Sequence, residues 1–300
     1  MQKKQKILNI VTHNGTFHVD DLLAVAAIQL FLKEQPHNII RTRDPEVIAT
    51  GDYVIDVGGV FDEATERFDH HQRGAAGGRE NGIMYSSLGL VWKKYGETIC
   101  GSKSIAERID REMVCPIDMA DNGVDVYIPT KEGIHPYLLH RILVKYRPTW
   151  KESDVFDERF MELLPFARRL LEREIISARD EEEGVRFVEE AYNNAKDKRI
   201  VTLDGAYPWQ DLLAQKREPL YVVKPKAHRT AWEVEAVRSN SASFKNRKSL
   251  PEEWRGKSSE ELAKVTGISD AVFCHNSGYV AVTESKEGAL KLAEIAVSSQ

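Results

Sequence analysis

Short apolar runs that stop at polar clusters alternate, in the first half of this chain, with longer stretches whose apolar residues fill helical faces. Ile7 to Thr12 is apolar and ends in polar residues, the pattern of a buried strand. Asp20 or Asp21 can cap a following helix, Leu22 to Lys33, that is apolar on most of its faces. Ile39-Ile40 begins a second short strand, and Tyr53 to Val57 is a clearer one, stopped by Gly58-Gly59. Ser86 to Tyr95 and Ser104 to Met113 read as helices. Strands alternating with helices predict an α/β fold with a parallel sheet and right-handed crossovers. Sites in such sheets form beyond the carboxyl ends of the strands, which directs attention to the polar residues after each one.

The pattern changes in the middle of the chain. Residues 151–198 carry 14 acidic and 9 basic side chains, with Phe160, Leu163, Leu164, Ala167, Leu171 and Ile175 at amphipathic-helix spacing. This stretch reads as a helical connector that Pro165 could kink and Gly184 could divide. Strands return at Ile200 to Leu203, Leu220 to Val223, Trp232 to Val237, Ala271 to His275 and Tyr279 to Thr283. A helix from Lys286 to Val297 closes the chain. The expected organisation is a parallel-sheet domain over 1–150, a connector over 151–198 and a smaller α/β domain over 199–300.

Composition narrows the class. Three hundred residues suffice for roughly two domains and a large core without disulfides or structural zinc. A net charge of −5 argues against a protein that coats polyanions generally, though not against a local basic patch. No apolar run reaches the ~18 residues of a membrane span, and the basic start Met1 to Lys6 leads only into a short strand, unlike a signal peptide. Cys100, Cys115 and Cys274 are too scattered for a thiolate metal site and fit a reducing, cytoplasmic compartment.

Four polar clusters in the first half carry candidate chemistry. His13-Asn14-Gly15-Thr16-Phe17-His18-Val19-Asp20-Asp21 places two imidazoles and two carboxylates directly after the first strand. Asp56 ends the Tyr53 to Val57 strand, and Asp69-His70-His71 precedes Gln72-Arg73-Gly74. Adjacent histidines on an extended strand point opposite ways, so one can bind metal while the other faces substrate. Asp118-Met119-Ala120-Asp121-Asn122-Gly123 adds a later acid, with Asp121 the better ligand candidate and Asp118 the alternative in an outer shell. Taken singly, each cluster has a plain reading as a capped loop or turn. Together they supply sulfur-free oxygen and imidazole ligands suited to two divalent ions such as manganese, magnesium, iron or zinc. A two-metal site needs a shared carboxylate, and Asp56 is the choice.

The order of these clusters resembles the DHH phosphoesterase superfamily, and more narrowly the melanocyte-proliferating-gene family of DHH-type exonucleases. The resemblance rests on Thr12 to Asp21, the Asp56-Val57-Gly58-Gly59 run, Asp69 to Gly74 and the Asp121-Asn122-Gly123 turn. In the second half, Ser243-Phe244, Arg247, Trp254-Arg255-Gly256 and His275-Asn276-Ser277-Gly278 are similar to that family too. It implies a DHH-type catalytic domain followed by a substrate-binding domain. It implies His13 and His18 on one metal, Asp20 on the other, Asp56 bridging, and His70 and Asp121 completing the second site. His71 would face the scissile phosphate as an acid or charge stabiliser, and Arg73 would hold a phosphate oxygen. The superfamily's usual opening His-x-x-x-Asp-x-Asp is here His13-x-x-x-x-His18-x-Asp20, a spacing the narrower family shares. The superfamily's Gly-Gly-Gly-His motif is absent, and His275, Ser277 and Gly278 stand in for it as substrate contacts.

Residues 224–257 hold nine Lys or Arg against four Glu. Lys224, Lys226, His228, Arg229, Arg238, Lys245, Arg247, Lys248 and Arg255 are interleaved with Trp232, Phe244 and Trp254. Basic groups that reach phosphates beside aromatics that stack on bases suit a single strand. The expected function is a two-metal phosphodiesterase, an exonuclease on RNA or short oligonucleotides, with manganese preferred and magnesium possible. The alternatives are hydrolysis of pyrophosphate or another small phosphoester, and a metal-containing nucleic-acid-binding protein without turnover.

Overall fold

The computed structural model describes residues 6–74, 76–226, 230–240 and 243–299. The chain divides into two compact units, Met1–Ala178 and Arg179–Gln300.

The first unit begins with strand β1 (Leu8–Thr12), helix α1 (Val19–Leu32), strand β2 (His37–Arg41), helix α2 (Pro45–Ala49) and strand β3 (Tyr53–Ile55). Two-residue strands β4 (Phe61–Asp62) and β5 (Arg67–Phe68) follow. The sheet order is β2-β1-β3-β5-β4, parallel throughout except where β4 turns back on β5. β4 and β5 occupy a stretch that the sequence pattern did not mark as strand. Two residues are too few for a strand period to register. α1 starts where the Asp21 carboxylate accepts the His18 backbone N–H at 2.9 Å, and two acids in its first turn suit the helix dipole. Its residues from Val19 to Ile28 are all buried, so apolar side chains cover its whole circumference. Each fully buried Leu or Ile there contributes about 1.5–3 kcal/mol.

Helices α3 (Ser87–Cys100), α4 (Lys103–Ile109), α5 (Cys115–Asp121) and α6 (Leu139–Leu143) complete the layer around α1. The helix expected over Ser104 to Met113 passes from α4 into one π-helical segment, Asp110–Val114, before α5. Gly89 of α3 lets α5 approach closely: a Cβ there would lie 2.1 Å from Asp118 Oδ2. Helix α7 (Phe156–Asn194) runs unbroken through Pro165 and Gly184, so neither divides it, and the boundary between the units falls within its span.

In the second unit, β6 (Ile200–Thr202), α8 (Gln210–Gln215), β7 (Tyr221–Pro225), β8 (Trp232–Ala236), α9 (Ser259–Thr266), β9 (Ala271–Cys274), β10 (Val280–Thr283) and α10 (Lys286–Ser298) form a second mixed α/β layer. Its sheet order is β6-β7-β8-β10-β9, with only β6–β7 parallel. Tyr221, Val223, Val234, Cys274 and Ala281 meet Leu292, Ala293 and Ala296 of α10 in its core. Among the described residues no helix is long and apolar enough to cross a membrane.

Candidate metal centre

The carboxyl ends of β1 and β3 bring His13 and Asp56 together. β3 stops at Asp56 because its backbone turns into the left-handed region, φ +56°, which Asp tolerates better than most residues. That turn aims the carboxylate back across the sheet edge. Asp56 Oδ2 lies 3.2 Å from His13 Nε2, and Oδ1 lies 3.5 Å from both His70 Nε2 and His71 Nδ1. His70 Nε2 is also 3.2 Å from Asp121 Oδ2, at the end of α5, and His13 Nε2 is 3.1 Å from Asp21 Oδ2.

These short approaches are not all hydrogen bonds. Asp56 Oδ2, Asp21 Oδ2, His70 Nε2 and both oxygens of Asp20 are buried without a hydrogen-bond partner among the described residues. Ligands of one ion with bonds near 2.1 Å stand about 3.0–3.4 Å apart and point at the ion rather than at each other. The donor set fits divalent cations on that ground. Three groups of ligand atoms lie within 4.8 Å of one another: His13, His18 and Asp56; Asp56, His70 and His71; and His18, Asp20 and Asp121. Asp56 belongs to two of them. All six residues singled out as ligands therefore converge, with His71 beside them and His18 on the solvent side.

Supporting contacts orient the imidazoles. His13 Nδ1 sits 3.2 Å from the Asn14 carbonyl, which leaves Nε2 facing the cluster. Ser87 Oγ donates to Asp56 Oδ1 at 2.8 Å. Asp69 accepts from the Gly59 backbone at 2.6 Å and from the His71 backbone at 3.0 Å, and lies 2.9 Å from His71 Nδ1. His71 is exposed, with its Nε2 left unconstrained by that pairing. Arg73, two residues on, is exposed.

The electrostatics record crowding of charge. Burial works against the His13 cation, but Asp21 and Asp56 outweigh it and raise His13 to about 10. Burial works against the Asp56 anion, yet His13, His70 and Ser87 hold it well below the usual carboxylate range. Asp20 goes the other way: burial, then the charges of Asp56, Asp121 and Asp21, push it well above that range. Desolvation raises Asp121 as well, against the opposing pull of His70.

Asp118 has other partners. It accepts from Ser86 Oγ at 2.5 Å, from Gly89 N at 3.2 Å and from Arg79 Nη1 at 2.5 Å. Burial pushes it up to about 6 although Ser86 and Arg79 oppose that. Asp21, beyond its capping of α1, and Asp69 and Ser87 contribute to the centre in ways that the sequence did not assign. The Asp that opens Asp69-His70-His71 was a usable signal for Asp69, and nothing comparable marks Ser87.

The second unit distributes its basic and aromatic residues unevenly. Trp254 is 1% exposed and belongs to the core, so its ring is not free to stack on a base. Arg247 donates to the Pro219 and Ala214 carbonyls, and Arg255 to the Leu250 carbonyl, so part of each guanidinium is engaged by backbone. Lys224 pairs with Glu233 and, at 3.2 Å, with Glu235, and Lys248 donates to the Val297 and Ser299 carbonyls. Phe244 is 88% exposed, with the Arg238 guanidinium 4.8 Å from its ring. His275 Nδ1 is 2.8 Å from Ser277 Oγ, and Gly278 takes a left-handed turn under the Arg255 side chain. His228 and Arg229 lie outside the described residues.

A family model for the MYG1 exonuclease group, described as "Uncharacterised protein family (UPF0160)", matches residues 9–297. This chain belongs to the MYG1 family. The MYG1 protein of Dictyostelium discoideum is 33% identical over 318 residues, 95% of each chain. The MYG1 protein of Schizosaccharomyces pombe is 28% identical over 97% of this chain and 98% of its own. The protein named MYG1 exonuclease in Homo sapiens is 29% identical over 97% of this chain and 86% of its own. The MYG1 relationship thus spans both units and every cluster discussed above.

Proposed function

We propose that this protein is a divalent-metal-dependent phosphodiesterase of the DHH type, working as an exonuclease on single-stranded RNA or short oligonucleotides. The observation that carries the reading is Asp56. It is a buried carboxylate shared by two ligand groups, with imidazoles on both sides and an oxygen that no donor satisfies. His13, His18 and Asp56 would hold one ion, and Asp20, Asp56, His70 and Asp121 the other, manganese or magnesium being the fitting choices for this oxygen-rich set. Bound there, such ions supply water activation and neutralise phosphoryl charge.

The chain's own residues supply the rest. Asp69 fixes the His71 ring through Nδ1, so that the exposed Nε2 can donate a proton to the leaving oxygen. Arg73, exposed two residues beyond His71, would pair with a nonbridging oxygen. In the second unit, which we read as the substrate-binding domain, Phe244 with Arg238 offers a stacking face with a cation beside it. The exonuclease names of mammalian relatives support the nucleic-acid substrate. Cys100, Cys115 and Cys274, all buried, are in keeping with a reducing, cytoplasmic setting.

The test uses end-labelled single-stranded RNA and DNA with Mn2+ or Mg2+. Nucleotide release should appear, and should vanish with a chelator or on Asp56→Asn, a change that keeps shape and tolerates the left-handed backbone. Substrates left intact in both metals, or release that survives Asp56→Asn, overturn the reading.

A further inference from the structure

A cavity of about 640 Å³ opens beside the candidate metal centre, wholly within the first unit, and shares His18, Asp20 and Asp121 with it. Its volume is that of a small-molecule site, and such sites pair apolar walls with a few directed polar groups. The lining drawn from the π-helical segment, α5, α6 and the stretch between those two helices includes the apolar side chains of Ile117, Val124, Tyr127 and Leu139 besides Glu112, Asp125, His140 and Arg141. Tyr127 is held by its hydroxyl, 2.9 Å from His135 Nδ1. At another wall stands Arg147, whose guanidinium lies 5.6 Å from the Phe17 ring and whose buried Nε has no hydrogen-bond partner among the described residues. A bare phosphate has no use for the apolar wall, and a purely apolar ligand has none for the acids and arginine. A ligand with a flat apolar body and a phosphate at one end uses both.

We propose that this cavity receives the base and sugar of the terminal nucleotide while its phosphate lies at the His18, Asp20 and Asp121 edge. The proposal rests on the phosphodiesterase reading and deepens it. End recognition then comes from a pocket for one nucleotide beside the reacting phosphate, independently of the second unit. Val124 is the place to test this, because it lines the cavity and is half-exposed, so filling the space from there leaves the core intact.

Metal-loaded full-length protein would be titrated calorimetrically with 5′-AMP, 3′-AMP and ribose 5-phosphate. At least one mononucleotide should bind about tenfold or more tighter than ribose 5-phosphate, the contribution of one stacked base. Val124→Trp should abolish that advantage while leaving ribose 5-phosphate affinity and the metal-induced rise in Tm within error. Equal binding of all three ligands, or an advantage that persists in Val124→Trp, overturns the proposal. Failure of the enzymatic reading looks different: the polymers stay intact in the cleavage assay, whatever the mononucleotides do here.

Discussion

Asp20→Asn separates the stability of this protein from its capacity for metal. Asp20 is fully buried near the start of α1, with no donor for either oxygen among the described residues and with Asp56, Asp121 and Asp21 around it. An unsatisfied buried polar group costs about 1–3 kcal/mol. In the variant, the amide can donate to the Asp121 carboxylate that now crowds Asp20, turning a repulsion into a hydrogen bond. Chelator-treated Asp20→Asn should therefore be more stable than wild type by about 1–3 kcal/mol, or about 2–12 °C in Tm for a unit of this size. The sign with pH follows from the raised Asp20 value. Protonation favours the fold, so this group's contribution is present at low pH and is lost as pH rises through its folded value; the variant's lead should widen in that direction. Metal reverses the ranking. Wild type at a metal concentration 100 times its dissociation constant gains about 2.7 kcal/mol, and the variant, lacking an anionic ligand, should gain far less. Thermal melts with chelator and with Mn2+ read both effects. A variant that loses stability in chelator yet keeps the full wild-type response to Mn2+ would refute the reasoning.

Four further outcomes are expected. His13, raised to about 10, contributes stability that is complete below its unfolded value near 6.5 and lost as pH climbs through 10; an arriving cation must expel that proton. Metal affinity should accordingly increase across that window, and calorimetry at pH 8 in buffers of different ionisation heat should show at least one proton released; heats independent of buffer would contradict it. Asp118→Ala strands the Ser86 hydroxyl, the Gly89 N–H and part of Arg79, so urea denaturation should show a loss of about 2–4 kcal/mol, partly softened because Arg79 keeps Asp110. Trp254→Ala should cost about 3–5 kcal/mol as a core truncation. Phe244→Ala should leave stability within about 0.5 kcal/mol yet weaken single-stranded RNA binding by about tenfold, and unchanged binding would remove Phe244 from the interface.

The convergence of the candidate ligand clusters was legible because strand ends concentrate chemistry in consecutive residues. His13 and Asp56 each follow an apolar run, and the parallel sheet brings those ends together with the end of β5, after which Asp69-His70-His71 comes. β1, β3 and α1 were readable within a few residues for the same reason: long apolar runs dominate their signal. The second unit was less transparent. A count of arginines carries no information on which backbone carbonyl claims each guanidinium, and Arg247 and Arg255 are engaged in part by Pro219, Ala214 and Leu250. Likewise, a tryptophan among basic residues looks the same whether it stacks on a base or fills a core; only the packing around Leu250 and Leu262 decides that Trp254 does the latter. The cavity beside α5 and α6 left no trace in the pattern, since its walls come from a region with little periodicity.

His13 and Asp121 stand 108 positions apart in the chain, and the candidate donors come from the end of β1, the start of α1, the ends of β3 and β5, and the end of α5. Cations held by all of them would act as a staple across a loop of that length, a constraint comparable to a disulfide closing about 100 residues. An ion held there would require the sheet, the start of α1 and α5 to be docked together. Losing it in the mature protein would slacken the sheet and α5 against each other at once.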